Sequence, residues 1–269
     1  VESEAEATSI FERDGDRFVP TAMSTGPWRA DAQHGGSVGA LVGMLVEAGL
    51  EEGEQVASIQ IDLERTIPIE PLTAHVERIR LSRRVAHLEV ELRAPGGPVV
   101  GARALLLRAE PIPTVPAVDE PLIGPEGLEP MVWPEGARQT WTAFHRDAME
   151  YRFIEGGFLE PGPSVAWLRL RTELIAGEPL GAFAALLAAA DFGSALCQTV
   201  APGAGAGLIN LDIDVTLLRA PVGPWFRLDA HGRVGAGGVG LAVTRLSDLD
   251  GPLGVVTQSQ LGFVISARS

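Results

Sequence analysis

Two tandem α+β halves, each an antiparallel sheet wrapped around one long apolar helix, are expected from three features of this 269-residue chain. Residues 56–108 and 209–265 alternate polar and apolar side chains in long runs, the period-2 signature of half-buried strands. Residues 34–50 and 180–199 are apolar on nearly every side, and a helix of that kind needs cover on most sides. The two regions also align with each other, without gaps, at a constant offset of 154 residues.

In the first half the helix opens after His34. Gly35, Gly36, Gly39 and Gly43 leave room for a sheet to approach its backbone, at a helix cost of about 1 kcal/mol each. Residues 58–65 read as a strand, and 72–84, 85–94 and 99–108 as three more, with Pro95, Gly96, Gly97 and Pro98 as a turn. Residues 111–139, rich in Pro and Gly, read as a linker. In the second half the apolar run 180–199 carries one charge, Asp191. Residues 212–219, 225–233, 240–246 and 253–265 are the matching strands, with Asp250, Gly251 and Pro252 as the turn. Under the offset, Ile59, Ile61, Leu63 and Arg65 fall on Ile213, Val215, Leu217 and Arg219, and Gly97 and Pro98 on Gly251 and Pro252. Helix 35–50 falls over the stretch around Asp191. The expected domains are 1–110 and 140–269, joined by 111–139.

Composition narrows the function. Hydrophobic residues make up 46% and charged residues 21%, which excludes long-range disorder. Net charge is −14 and evenly spread, with 11 Arg against 18 acidic residues in 1–110 and 10 against 17 in 111–269. No basic patch stands out, so nucleic-acid binding is not expected. All 21 basic residues are arginine, which removes Schiff-base chemistry and a P-loop lysine. A single cysteine, Cys197, allows neither an internal disulfide nor a cysteine zinc site. The acidic residues 1–6 do not resemble a signal peptide. The uncharged stretch 192–211 is long enough to cross a bilayer. Gln198, Pro202 and Asn210 within it instead suggest helix end, loop and strand start. A reduced, cytoplasmic protein without a membrane span, metal or cofactor is expected.

Three residues stand out as a candidate site. Asp191 interrupts an apolar run, and burying an unpaired carboxylate costs several kcal/mol, so it must be exposed, paired or neutralised. Desolvation would raise its pKa and make it a better base; a plain helix cap is the alternative. Asn210, the only asparagine, shares strand parity with Asp212 and Asp214, opposite Leu211, Ile213, Val215 and Leu217. That is also the pattern of a solvated sheet face. Gln260 shares parity with Gln258, and the two compete for one role. Under the offset, Asp191, Asn210 and Gln260 fall on Ser37, Val56 and Leu106, so one polar constellation per chain is expected.

Two motifs mislead. Residues 35–39 match the G-x-S-x-G elbow around Ser37, but no buried strand precedes them. Residues 235–240 match G-x-G-x-x-G, but a strand-like segment follows where a helix is needed, so a glycine-rich hairpin is expected.

Gly26, Pro27 and Trp28, then His34, Gly35 and Gly36 opening a helix, then Arg83, Arg84 and Val85 opening a long strand, resemble the N-terminal half of acyl-CoA thioesterase II-like proteins. The second half resembles the same family at Ala190 and Asp191, at Leu211 and Asp212 with Arg219 downstream, and at residues 258–262. The resemblance implies a double hotdog fold and hydrolysis of acyl-CoA thioesters to free acid and CoA, without cofactor or metal. It implies a water held by an Asp on the second helix, a Ser/Thr-type residue on the next strand and a Gln on the last. These roles fall on Asp191, Asn210 and Gln260, with Asn210 standing where thioesterase II has Thr. Backbone N–H groups of Gly35 and Gly36 are candidate oxyanion donors at a helix N-terminus, with His34 as a capping residue. Arg78, Arg80, Arg83 and Arg84 are candidates for CoA phosphates. The acyl chain is expected among residues such as Phe183, Leu187 and Met44. A homodimer of double hotdogs is implied as well. The alternative is a non-catalytic protein that binds acyl-CoA or another apolar ligand. A hydratase on the same fold lacks the Asp-x-Asn-Pro-x-x-His-like run it would need.

Overall fold

The alternating runs become the strands around which the chain is built. In a computed structural model, residues 8–110, 112, 122–134, 140–201 and 204–264 are described. The first half contains β1 (Ser9–Asp14), β2 (Arg17–Pro20), helix α1 (Gly35–Ala48), then β3 (Gln55–Leu63), β4 (Leu72–Arg80), β5 (Val85–Ala94) and β6 (Gly97–Leu107). The second contains β7 (Met149–Glu155), β8 (Ser164–Leu170), β9 (Glu173–Ile175), helices α2 (Ala182–Ala190) and α3 (Gly193–Leu196), then β10 (Ala206–Asn210), β11 (Asp212–Leu217), β12 (Phe226–Val234), β13 (Val239–Asp248) and β14 (Gly251–Val264). The short strands β1, β2 and β7 to β9 escape a reading based on long alternation. A π-helical turn, Phe144–Ala148, precedes β7.

Among the described residues these strands form one sheet in the order β7-β8-β12-β13-β14-β11-β3-β6-β5-β4-β2-β1-β9, with β10 also on β14. The halves join where β11 pairs antiparallel with β3, Asp212 opposite Asp62 and Thr216 opposite Ser58.

Strand register repeats at the offset of 154. Thr73 pairs with Arg93 as Arg227 pairs with Ser247. Val56 pairs with Leu106 as Asn210 pairs with Gln260. Even the irregularities recur. The register shift at Leu92/Arg93 returns at Leu246/Ser247. The shift between Val56 and Ser58 returns where β10 gives way to β11, since the ladder slips by one residue between Asn210–Gln260 and Asp214–Thr257. Alternation alone would not reproduce the same bulges at the same places.

The helices do not follow that offset. The second apolar run is not one helix over 180–199: α2 and α3 are separated at Asp191 and Phe192. The connection to the next strand, 197–205, is longer than its counterpart 49–54, which displaces the helix along the numbering. The glycines of α1 also face a different neighbour from the one expected. A Cβ on Gly39 would lie 3.3 Å from the Leu187 carbonyl oxygen, and one on Gly43 would lie 2.7 Å from Ala184 Cα. They let the antiparallel helices α1 and α2 touch backbone to backbone. Phe183 and Leu187 are buried in this packed core rather than around an acyl cavity, and Met44 packs against it.

Residues 235–238 form the turn of the β12–β13 hairpin, with Gly238 at φ +80°, where the missing side chain removes strain. No helix of the described residues is long and apolar enough to cross a membrane. Most of the expected linker lies outside the described residues, as do residues 1–6 and Pro202.

Candidate active site

The break between α2 and α3 creates the site. Asp191 is the C-cap of α2, yet it is only 5% exposed. Its carboxylate crosses to the N-terminus of α1, where Oδ2 lies 2.9 Å from His34 Nδ1. A proton on Nδ1 makes this a bond from ring to carboxylate; a bare Nδ1 is instead the acceptor that caps the Gly36 N–H. The Gly36 N–H, 3.0 Å from the same Nδ1, also bonds the carboxylate. Asn210 Nδ2 donates to Asp191 Oδ1 at 2.9 Å and to its backbone oxygen at 3.2 Å.

Burial by itself pushes the Asp191 carboxyl up. The hydrogen bond and charge of His34, the Asn210 amide and the Gly36 N–H outweigh it, and the group titrates below the ordinary carboxylate range. Desolvation therefore does not raise its pKa as the sequence suggested; the paired donors win.

Asn210 reaches Asp191 because of the bulge. Simple alternation puts Asn210 on the same face as Asp212 and Asp214. The one-residue slip at Leu211 reverses parity, so Asn210 points to the helices while Ile213 and Val215 still face the core. Directly across the ladder stands Gln260, 6% exposed, whose Nε2 lies 3.5 Å from Asn210 Oδ1. A Cβ on Gly240 would come within 2.9 Å of Gln260 Oε1, so that glycine keeps room for the amide.

Gln258, two residues earlier on the same face, does another job. Its Nε2 donates to the Asp191 carbonyl at 3.0 Å and its Oε1 accepts from the Ser194 N–H at 2.9 Å. Both ends bind backbone across the helix break. The two glutamines differ in position: Gln258 holds the turn, and Gln260 lines a cleft. Gln258 was legible only as a competitor, because its backbone partners are 67 and 64 residues away.

Aromatic rings hold His34. Phe144 and Phe192 each lie 5.0 Å from its ring, and His145 stacks at 6.1 Å. Neither phenylalanine carries a motif that the sequence alone would reveal. Gly35 is obligatory for another reason: a Cβ there would sit 2.8 Å from Asp191 Oδ2 and 2.9 Å from Oδ1.

Asp191, Asn210, Gln260, His34 and Gly35 all line a cleft of about 580 Å³. Its walls come from residues 26–29, 63–67, the segment after α3 and β10. Arg80, Arg83 and Arg84 do not line it. Arg80 pairs with Glu51, Arg84 with Glu110, and Arg83 is exposed in the β4–β5 turn. Arg78 binds Glu54 and the Gly49 carbonyl. That cluster surrounds the far end of α1, about 20 Å away by helix length.

Two nucleophiles are unavailable. Ser37 is fully buried and donates to the His34 carbonyl at 2.7 Å, which disposes of the elbow motif. Burial pushes the Cys197 thiol up to about 11. Among the described residues no three His, Cys, Asp or Glu side chains are grouped to hold a metal ion.

Known proteins bear on this geometry. Residues 24–107 match the acyl-CoA thioesterase N-terminal domain, and residues 125–261 match the acyl-CoA thioesterase C-terminal domain. Comparison with curated proteins gives no match. Among solved structures the chain is similar to a conserved protein with hot dog fold, of unknown function, from Alicyclobacillus acidocaldarius. Identity is 18%, 97% of each chain is covered, and the TM-score is 0.69. An acyl-CoA thioesterase II, TesB2, from Mycobacterium marinum shares 17% identity over 97% of each chain, with a TM-score of 0.65. A tesB protein of Mycobacterium avium subs paratuberculosis shares 18% over 96% of each chain, with a TM-score of 0.64. These structural likenesses speak for the hotdog fold. The two domain matches together span most of the sequence, and by them this chain belongs to the acyl-CoA thioesterase family.

Proposed function

We propose that the protein hydrolyses acyl-CoA thioesters, with water held by Asp191, Asn210 and Gln260. The observation that carries this reading is the convergence of those three side chains on one open cleft, although they lie on a helix end and two strands. In the reaction, water oxygen bonds to the thioester carbonyl carbon to form a tetrahedral intermediate, and the carbon–sulfur bond breaks as that intermediate collapses. The water proton passes to Asp191 and then to the departing thiolate, giving acid and free thiol.

Asp191 is a weak base, since its donors hold it ionised. Its contribution is orientation and the acceptance of a proton as the tetrahedral intermediate forms. Thioesters suit such a site, because the carbonyl is electrophilic and the thiolate leaves readily. Asn210 fixes Asp191, and Gln260 supplies a polar atom for the water. The Gly35 N–H makes no hydrogen bond among the described residues and opens α1 at the cleft, so it is the proposed oxyanion donor. Gly36, also a candidate, has its N–H already committed to the His34–Asp191 pair.

The wider reading is a double hotdog of 1–110 and 140–269, joined by 111–139, with the catalytic set only in the second half. The repeated register supports it, as do Val56 and Leu106, apolar where Asn210 and Gln260 stand in the second half. The test is thiol release from a panel of acyl-CoAs. Release by the native protein and its loss in Asp191→Ala, with the fold retained, is expected. Tight acyl-CoA binding without any release would favour the non-catalytic alternative.

A further inference from the structure

Arg65 and Arg219 occupy equivalent places, in the bend directly after β3 and β11. Their surroundings differ by one carboxylate. Arg219 is neutralised: NH1 and NH2 bind Asp248 Oδ2 and Oδ1 at 2.7 and 2.5 Å, and NH2 also donates to the Gly251 carbonyl at 3.0 Å. Since strand register repeats at 154, the residues facing Arg65 are Ala94 and Gly97. The guanidinium still reaches over that turn, with NH2 3.5 Å from where a Gly97 Cβ would be. The fork has kept its place and lost its acid.

Among the described residues Arg65 makes no ion pair, and it lines the cleft. The other arginine of the cleft, Arg29, is held by Asp31 through two bonds of 2.8 and 2.6 Å. Neighbouring Glu64 turns toward β6, its Oε1 3.0 Å from where a Gly101 Cβ would lie. In a chain of net charge −14, an arginine free of carboxylates at a substrate cleft is a cation available to an anionic group.

We propose that Arg65 anchors a phosphate of the substrate's phosphorylated thiol carrier at the cleft. This rests on the thioesterase reading and names the part of the substrate that the Asp191 constellation leaves unheld. The chemistry is shared by the nucleotide phosphates of CoA and by the phosphopantetheine phosphate that CoA and carrier proteins have in common.

The experiment compares native protein, Arg65→Gln, Arg65→Lys and Arg219→Gln on three thioesters of one acid: acyl-CoA, acyl-phosphopantetheine and acyl-pantetheine. In Arg65→Gln the ratio of kcat/KM for acyl-CoA over acyl-pantetheine should fall roughly tenfold, through KM. Arg65→Lys should recover part of it, as a point charge without the planar fork. If acyl-phosphopantetheine suffers with acyl-CoA, the anchored group is the phosphate common to both; if only acyl-CoA suffers, it is a nucleotide phosphate. Melting temperature should fall in Arg219→Gln and hold in Arg65→Gln, which separates a ligand contact from a structural one. Calorimetric binding of free coenzyme A should weaken in Arg65→Gln and with added salt. That arm stands even if no thioester is turned over, in which case the hydrolytic reading fails alone. An unchanged specificity ratio together with coenzyme A binding that ignores the substitution would overturn the anchor.

Discussion

Glu47 and Asp191 hold opposite ends of one antiparallel helix pair. Glu47, near the end of α1, accepts from the N–H groups of Phe183 at 2.9 Å and Ala184 at 3.2 Å, at the start of α2. Asp191, at the end of α2, accepts from the N–H of Gly36 at the start of α1. Each carboxylate meets the positive end of its neighbour's dipole. Their access differs. Asp191 lines the cleft and binds two further side chains, whereas Glu47 does not line it, and burial pushes its carboxyl up.

Glu47→Ala should therefore act on stability, costing about 1 kcal/mol as the loss of a helix cap. Asp191→Asn keeps the shape and can still bond His34 and Asn210, but it cannot accept the water proton. It should lower kcat by roughly 10²–10⁴ with the melting temperature nearly held. A fully active Asp191→Asn protein would remove the proposed base.

The two glutamines of β14 should separate. Gln258→Ala leaves the Ser194 N–H without its partner and the Asp191 carbonyl with Asn210 alone, and should cost about 1–3 kcal/mol in denaturant unfolding. Gln260→Ala has less polar bonding to lose, since its side-chain hydrogen bond among the described residues is the 3.5 Å approach to Asn210. It should instead lower kcat. Opposite results for the pair would reassign their roles.

Gly35→Ala places a methyl group where the Asp191 oxygens now lie, 2.8 and 2.9 Å from its Cβ. The carboxylate must shift, and a displacement near 1 Å costs about a hundredfold in turnover. The loss should appear in kcat, measured beside a melting curve to separate it from unfolding.

His145 makes stability depend on pH. Burial, then the charges of His34 and Arg146, push it down to about 3, against a partial upward pull from Asp147. Its Nδ1 has no hydrogen-bond partner among the described residues. The folded form stays neutral while the unfolded chain takes up a proton near pH 6.5. Stability is thus full above about pH 6.5 and declines as pH falls toward 3, by an amount on the order of 5 kcal/mol. Melting temperature against pH should flatten between pH 6 and 4 in His145→Phe. An unchanged slope would mean that other groups set the acid limit.

Much of this molecule was legible in the chain because the signals are local. Polar–apolar alternation marks β3 to β6 and β11 to β14, and the Pro- and Gly-rich turns lie between the right strands. The offset of 154 survives in the ladders, bulges included, since strand pairing preserves sequence spacing. Asp191 was conspicuous as one charge in an apolar run.

Tertiary structure decided the rest. A single bulge turned Asn210 inward, and period-2 reasoning cannot see a one-residue slip. The helix break set Gln258 to holding backbone and left Gln260 facing the cleft. Donors from His34, Asn210 and Gly36 reversed the direction of the Asp191 pKa, because a buried carboxylate answers to its partners as well as to its burial. Nothing in the run of arginines distinguishes Arg65, exposed at the cleft, from Arg80 and Arg84, spent on Glu51 and Glu110. Composition and periodicity specify what a segment becomes. Which charges meet is settled only when segments far apart in the chain are packed together.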